Sequence, residues 1–286
     1  MAIKPFWRKR STPVPNGPAA DHAASTAKCA HPTDDGFMQA AQPGDPRHIA
    51  VIMDGNGRWA QQRHLPRKVG HREGAEALRR LVEACLDRGI PYLTVYAFSL
   101  ENWSRSDEEI SDLMDLLRRF MAKDLRELED RGVRGRVIGD RTRLDQDIQD
   151  KIVEAEARTA HLQAITVTMA VSYGGRQEVV AAAKALAHDV ASGKLSPDEV
   201  DEAAFAAHLE TPHLPDPDLL IRTSGEQRIS NFLLWQSAYT EFAFLDVLWP
   251  DFNAQWLDQA IEIYHARERR FGGRVDLKPV GELGAG

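Results

Sequence analysis

The residues best placed to do chemistry fall in three short clusters, each beside an apolar run. The first is HIAVIMDGNGRWA, His48 to Ala60, in which an apolar stretch ends in Asp54 and continues as Gly55, Asn56, Gly57, Arg58, Trp59 and Ala60. Gly55, Gly57 and Ala60 satisfy G-x-G-x-x-G/A, the spacing of a dinucleotide-binding turn between strand and helix. Asp54 fits that reading poorly, because its carboxylate would face a bound pyrophosphate, and two anions in contact repel unless a cation separates them. A magnesium ion held by one or two carboxylates plus phosphate oxygens supplies that cation, and Arg58 adds a second positive group. The turn therefore reads as a cradle for a metal-bound diphosphate. The plainer alternative makes Asp54 a helix cap. Arg67, Lys68 and His71 follow; Arg67 and His71 share a face if a helix begins there, and either close over the same anion or stay in solvent.

The second cluster, FSLENWSRS, gathers Ser99, Asn102, Trp103 and Arg105 in a loop. Neutral hydrogen-bonding groups around an aromatic suit the uncharged part of a substrate. The third, DLLIRTSGEQRISNF, carries Arg222, Arg228 and Ser230. Two guanidinium forks and a hydroxyl can embrace one diphosphate, unless Glu226 draws an arginine into a structural salt bridge. Glu241 is a lone carboxylate on an apolar strand and needs a partner or a metal. No Ser-His-Asp order, zinc spacing or P-loop lysine competes with these groups. Two anion sites result, one with Asp54, Arg58 and Arg67, the other with Arg222, Arg228 and Ser230. With magnesium and much apolar wall, they point to the joining of two isoprenyl diphosphates.

The elements that must position these residues alternate. Strands are expected near 47–53, 91–98, 133–138, 165–171, 218–222 and 241–246. Helices fall between them: Leu78, Leu81, Val82 and Cys85 recur at helical spacing until Gly89, and a helix of about 254–270 closes the series. Ser106 to Glu109 and Ser196 to Glu199 are S-x-x-E capping boxes. Such alternation predicts one α/β domain with a mainly parallel sheet. Residues 1–45 and 273–286 lack either period and read as loose tails around a domain of 46–272.

A net charge of −7 argues against a nucleic-acid binder relying on a bulk positive field. Two cysteines without a C-x-x-C predict a reducing compartment, with Cys85 a buried structural thiol. No run reaches the roughly 18 apolar residues of a membrane span, and no apolar segment follows KPFWRKR as in a signal peptide. A soluble, cytoplasmic protein is expected. Phe6-Trp7-Arg8-Lys9-Arg10 pairs aromatics with cations, a composition able to touch an anionic membrane surface; a solvated tail is the plainer alternative.

HIAVIMDGNGRWA, GHREGA, YAFSLENWSR and DLLIRTSGEQRISNFLLWQSAYTEFAFLDVLWPDF together resemble the cis-prenyltransferases, most closely bacterial undecaprenyl or decaprenyl diphosphate synthases. The resemblance covers roughly residues 45–272. It implies a homodimer of α/β subunits, each with a six-stranded, mostly parallel sheet and a hydrophobic tunnel. The activity it implies is Mg2+-dependent addition of isopentenyl diphosphate to a farnesyl or geranyl diphosphate primer, giving a cell-wall lipid carrier precursor. Asp54 would hold magnesium on the diphosphate, and Gly55, Asn56, Gly57, Arg58, Trp59, Arg67 and His71 would surround the allylic diphosphate. Arg222, Arg228 and Ser230 would bind isopentenyl diphosphate. Glu241 would reach the partner subunit's site and help hold the metal. Ser99, Asn102, Trp103 and Arg105 would orient substrate, with a proton relay in that loop. Ala97, small where the family places a residue beside the tunnel, favours a long product.

Overall fold

Six short segments build the sheet, five of them largely apolar and one carrying two arginines. In the computed structural model, which describes residues 44–123 and 125–267, they are β1 (His48–Ile52), β2 (Tyr92–Ser99), β3 (Val133–Ile138), β4 (Ile165–Tyr173), β5 (Leu219–Arg222) and β6 (Glu241–Phe244). They pair in the order β3-β4-β2-β1-β5-β6 with every pair parallel. The sheet expected to be mainly parallel is parallel throughout. Every residue of β1, β4 and β5 is buried, which is why none of them alternates with charged residues, although β4 carries Thr166, Thr168 and Ser172 among its apolar ones. The two tails and their expected properties, including the aromatic-cationic start, lie outside the described residues.

The helices are α1 (Asn56–Gln62), α2 (Arg67–Asp87), α3 (Asp107–Lys123), α4 (Leu125–Asp130), α5 (Gln146–Thr159), α6 (Gly175–Ala191), α7 (Glu202–Ala206) and α8 (Ala254–His265). The larger core joins Leu81, Leu93, Val95, Leu117, Ile152 and Leu257. A smaller one joins Ala50, Ile52, Tyr96, Tyr173 and Phe232. After β1 the chain turns toward β2; after β5, its neighbour on the other side, the chain turns toward β6. Connections that diverge from adjacent parallel strands leave a crevice at their carboxyl ends, where α/β sheets bind ligands. Asp54 and Arg222 stand at that crevice.

Three local readings change. The glycine turn after β1 opens a separate seven-residue helix, α1, before α2 begins. At Ser196–Glu199 both reciprocal bonds of the capping box form, yet they enclose only the 3-10 turn Pro197–Glu199, and Asp201 caps α7 by accepting the Ala204 N–H at 2.7 Å. At Ser106–Glu109 the hydroxyl accepts the Glu109 N–H at 3.4 Å, whereas the Glu109 carboxylate is engaged by Arg105, with Arg67 and His71 close by. Cys85 is fully buried, and burial pushes its thiol up to about 12, as an inert structural cysteine requires.

α1 rests on α2 through two glycines. A Cβ on Gly70 would be driven onto the Asn56 carbonyl, and one on Gly74 onto the Asn56 side chain and Trp249. Gly70→Ala is therefore expected to destabilise by ~1–3 kcal/mol, read as a lower midpoint in thermal unfolding. Gly135→Ala, where the nearest atom lies at 3.6 Å, serves as the tolerated control. A second expectation concerns His48, buried with Nδ1–H donating to the Pro215 carbonyl at 2.6 Å and Nε2 accepting from Thr94 at 2.8 Å. Burial pushes its pKa down to about 4, against the opposing pull of the Pro215 carbonyl and Asp218. The unfolded chain then binds the proton first, so stability is lost as pH falls from about 6.5 to about 4, by ~3 kcal/mol from this group alone. Urea midpoints between pH 7 and 4.5 check this. His48→Gln should remove about one proton from the slope, and an unchanged slope would refute the assignment.

Candidate active site

The site begins at the end of β1. Gly55 adopts φ +113, and a Cβ there would approach Leu248 to 3.0 Å and the Trp249 backbone nitrogen to 3.2 Å. That close approach lets the Trp249 N–H reach the Asp54 carbonyl at 3.1 Å. The same carbonyl accepts the Thr223 hydroxyl at 2.6 Å, and the hydroxyl oxygen lies 3.0 Å from the Asp54 N–H. The Asp54 side chain makes no cap bond to α1, whose N-cap residue is Gly55. Its Oδ2 instead accepts Nη2 of Arg222 at 2.9 Å, and Oδ1 lies 3.3 Å from Arg58. Burial alone would raise the Asp54 carboxyl. The Arg222 hydrogen bond and charge, with Arg58 beside it, overcome burial and hold it below the usual carboxylate range.

The two anion sites expected from sequence are thus one rim. The Arg222 side chain, 5% exposed, bonds Asp54 through Nη2 and reaches Ser230 Oγ at 2.7 Å and the Arg228 carbonyl through Nη1. Arg58 donates to the Ser224 carbonyl at 3.1 Å and to its hydroxyl, and lies 3.4 Å from Glu226. Glu226 also pairs with Arg228, so the structural salt-bridge reading of that residue is realised. Ser224, Ser230, Asn231 and Leu233 all adopt positive φ, a strained run of non-glycine residues of the kind found at ligand clamps. Asn231 holds this run in place. Its Nδ2 donates to Glu101 at 2.9 Å, its Oδ1 accepts the Arg176 N–H at 2.8 Å, and its carbonyl accepts the Gly175 N–H at 2.7 Å.

Glu109 organises the other side. It receives Arg105 at 2.7 Å and Arg67 at 3.3 Å, with His71 Nε2 3.9 Å away. Arg67 therefore belongs with Glu109 rather than with Asp54. Asn102 Oδ1 accepts the Ser99 N–H at 2.9 Å, fixing the 3-10 turn Leu100–Ser104. Trp103 lies edge-on to Phe98, donates to Ser172 Oγ at 3.0 Å and carries the Arg143 guanidinium 4.8 Å over its ring. Trp59 turns away: its indole N–H donates to Asp251 at 2.7 Å and Arg63 covers its ring. Glu241 is not brought to Asp54. It opens β6 in register with Leu219, three residues before Arg222, and pairs with Arg267 at 3.0 Å.

A cavity of about 540 Å³ opens between these groups, with Asp54, His71, Asn102, Arg105, Arg222 and Ser230 in its wall. Arg58, Trp59, Arg67, Trp103 and Arg228 lie outside that wall. An apolar cavity of about 100 Å³, walled by Leu78, Phe98, Leu117, Phe120 and Met169, adjoins it. Met53, Asn56, His71, Ala97 and Leu113 line both. Asn56 Oδ1, His71 Nε2 and Arg222 Nε are buried without a hydrogen-bond partner, a concentration of unsatisfied polar atoms expected where a ligand supplies the partners. Among the described residues no group of three or more His, Cys, Asp or Glu could hold a metal alone. The donor set at the crevice is one ionised carboxylate. It fits a magnesium ion whose remaining ligands include phosphate oxygens. Sequence reading missed Glu109 as an organiser, along with Asn231, Ser224 and Arg143. Only Glu109 carried a signal, and the capping-box pattern absorbed it.

A prenyltransferase family model described as undecaprenyl diphosphate synthase matches residues 52–272. An isoprenyl transferase of Brucella suis biovar 1 (strain 1330) is 54% identical over 229 residues, covering 80% of this chain and 90% of that protein. A farnesyl-diphosphate-specific ditrans,polycis-undecaprenyl-diphosphate synthase of Xanthomonas axonopodis pv. citri (strain 306) is 51% identical over 79% of this chain and 88% of its own length. Among solved structures, lavandulyl diphosphate synthase from Lavandula x intermedia, in complex with dimethylallyl diphosphate, superposes with a TM-score of 0.78 at 39% identity, covering 80% of this chain and 99% of that one. A probable undecaprenyl diphosphate synthase from Campylobacter jejuni gives a TM-score of 0.67 at 36% identity over the same shares.

The geometry sets the charge on His71. Burial and then the Arg105 guanidinium lower its pKa below 6.5, while Glu109 opposes them, so the imidazole is neutral at pH 7 and can accept or donate at the cavity wall. Titration by histidine NMR should place its midpoint below 6.5. Arg105→Ala should move that midpoint upward by removing the cation, and a downward shift would contradict the arrangement.

Proposed function

The chain belongs to the undecaprenyl diphosphate synthase family of prenyltransferases, and on that premise we propose that it condenses isopentenyl diphosphate repeatedly onto a farnesyl or geranyl diphosphate primer. The product would be a long-chain polyprenyl diphosphate of undecaprenyl or decaprenyl type, precursor of a cell-wall lipid carrier. The observation that carries this reading is an ionised carboxylate, Asp54, set among arginines at the mouth of a polar cavity that adjoins an apolar one. A diphosphate head and a hydrocarbon tail are the two halves of such a substrate.

The reaction breaks the allylic C–O bond, forms a C–C bond from the isopentenyl double bond and releases a proton. Mg2+, held by Asp54 with diphosphate oxygens, would neutralise charge on the departing diphosphate. Arg58, the Asn56 amide N–H groups and the unpartnered His71 Nε2 acting as an N–H donor would orient the allylic diphosphate. Gly55 and Gly57 would let its phosphates approach the backbone, Trp59 would brace the turn from outside, and Arg67 would act through Glu109. Arg222, Ser230 and Arg228 would position isopentenyl diphosphate so that its double bond faces the allylic carbon. Ser99, Asn102, Trp103 and Arg105 would hold the uncharged part and take part in removing the proton. Glu241, at the opposite end of the sheet from Asp54, would serve the site of a second copy in a homodimer and share its metal. No helix among the described residues is long and apolar enough to cross a membrane. A cytoplasmic enzyme whose product, or whose N-terminal segment, touches the bilayer fits this reading.

Purified protein incubated with labelled isopentenyl diphosphate, farnesyl or geranyl diphosphate and magnesium should yield a long product with new cis double bonds. No extension with either primer would overturn the proposal. Asp54→Ala should cut turnover by about 10²–10³, and retained turnover would remove Asp54 from the metal site. Ala97→Leu, which fills the wall common to both cavities, should shorten the product; an unchanged length distribution would show that the chain does not pass Ala97.

A further inference from the structure

A second polar cavity, of about 260 Å³, lies at the β3 edge of the sheet and shares no residue with the cavity at Asp54. Arg134 and Arg136, two apart on β3 and therefore on one face, line it together with Thr168, the register partner of Arg136 on β4. Both arginines are half-buried, and neither makes a hydrogen bond or ion pair among the described residues. Burial and then the neighbouring Arg134 lower the Arg136 pKa, with the charge of Glu156 opposing them from beyond ion-pair distance. Thr168 is 1% exposed, and its hydroxyl has no hydrogen-bond partner.

The remaining charges of this cavity are committed. Arg141 forks onto Glu156 at 2.7 and 2.9 Å, and Glu156 also accepts the Val137 N–H at 2.9 Å. Glu210 accepts the Gly139 N–H, and burial pushes its carboxyl upward, toward neutrality. His213 stands at the rim. Two guanidinium forks and one buried hydroxyl are left without partners. Edge strands do carry charges that discourage pairing with other chains, but such charges work while hydrated. That role requires neither partial burial of two like charges side by side nor an unsatisfied threonine beneath them, both of which cost free energy.

We propose that this cavity is a binding site for a small phosphorylated molecule, with the phosphate held by Arg134, Arg136 and Thr168. A phosphate offers oxygens in several directions and accepts from both forks and the hydroxyl together, whereas a carboxylate presents two coplanar oxygens. The cavity is several times the ~30 Å³ a water takes up in the liquid, leaving room for an organic group on the phosphate. The site is independent of the prenyl-transfer reading, since none of its residues contributes to that rim.

Isothermal titration of the full chain with inorganic phosphate, and separately with glycerol 3-phosphate, tests this. Saturable binding is expected, weakened at least tenfold in Arg134→Gln/Arg136→Gln and several-fold in Thr168→Val. Tighter binding of glycerol 3-phosphate than of free phosphate is expected for an organic ester, and the reverse order would overturn that ligand class in favour of the free ion. Binding that both variants leave unchanged belongs to the Asp54–Arg222 rim and overturns the proposal, as does no binding at all. Should the double variant unfold, Arg136→Lys keeps the charge and loses the fork. It must bind more weakly, and a crystal soaked in phosphate must show density between Arg134, Arg136 and Thr168.

Discussion

One ion pair governs this structure. Arg222 closes β5 with its guanidinium almost fully withdrawn from water, and Asp54, just past the end of the adjacent β1, is its counter-charge. A buried cation is tolerable only when its donors find partners. Here Asp54, the Ser230 hydroxyl and the Arg228 carbonyl take them, leaving Nε as the exception. The pair therefore welds the glycine turn to the strained segment through Leu233. Removing either charge leaves the other uncompensated, so the loops that build the crevice and the charge that would serve the chemistry cannot be varied separately.

Around that pair, two acidic residues arrange four further arginines. Glu226 holds Arg58 and Arg228, and Glu109 holds Arg67 and Arg105 beside His71. With Arg222 this makes five guanidinium groups against Asp54, Glu109, Glu226 and Glu101, a local excess of one positive charge in a chain of net charge −7. Arg105 and Arg222 line the cavity opposite Asp54 and Glu101, and the other groups flank it, so the excess lies around the cavity, where it favours an anion. The carboxylate partners keep the long side chains in place beforehand, which lowers the ordering cost of binding.

Much of this was legible in the sequence for a definable reason. Strands buried on both faces leave continuous apolar runs, and a carboxylate touching a glycine turn contradicts a bare dinucleotide site, so the sheet and Asp54 could both be read. Glu109 illustrates what could not. Its S-x-x-E spacing is a local signal, and the serine half of that signal forms. The glutamate half loses to Arg105 and Arg67, because a carboxylate bonds a charged guanidinium more strongly than a neutral backbone N–H. The positive φ values at Ser224, Ser230, Asn231 and Leu233 carry no glycine to announce them, and tertiary bonds impose them. The merging of two expected anion sites into one rim depends on β5 lying beside β1, a long-range pairing that no window of sequence contains.

The junction of the two cavities has its own cause in the sheet. The register between β2 and β4 runs from Tyr96 against Ala170 to Phe98 against Val171, so Ala97 is one residue too many on β2. Regular alternation would place Leu93, Val95 and Ala97 on one face and Tyr96 and Phe98 on the other. The bulge resets it: Phe98 joins the larger core with Leu93 and Val95, Ala97 packs against that core, and Tyr96 stays in the smaller one. Phe98 then braces Trp103, while Ala97 occupies the wall common to the polar and apolar cavities with the smallest side chain that keeps a Cβ. The next register shift skips Ser172 on β4, which takes φ +53 and receives the Trp103 indole N–H. Two compensating irregularities in neighbouring strands thus aim a small residue at the passage and anchor the loop above it, as bulges beside active sites do.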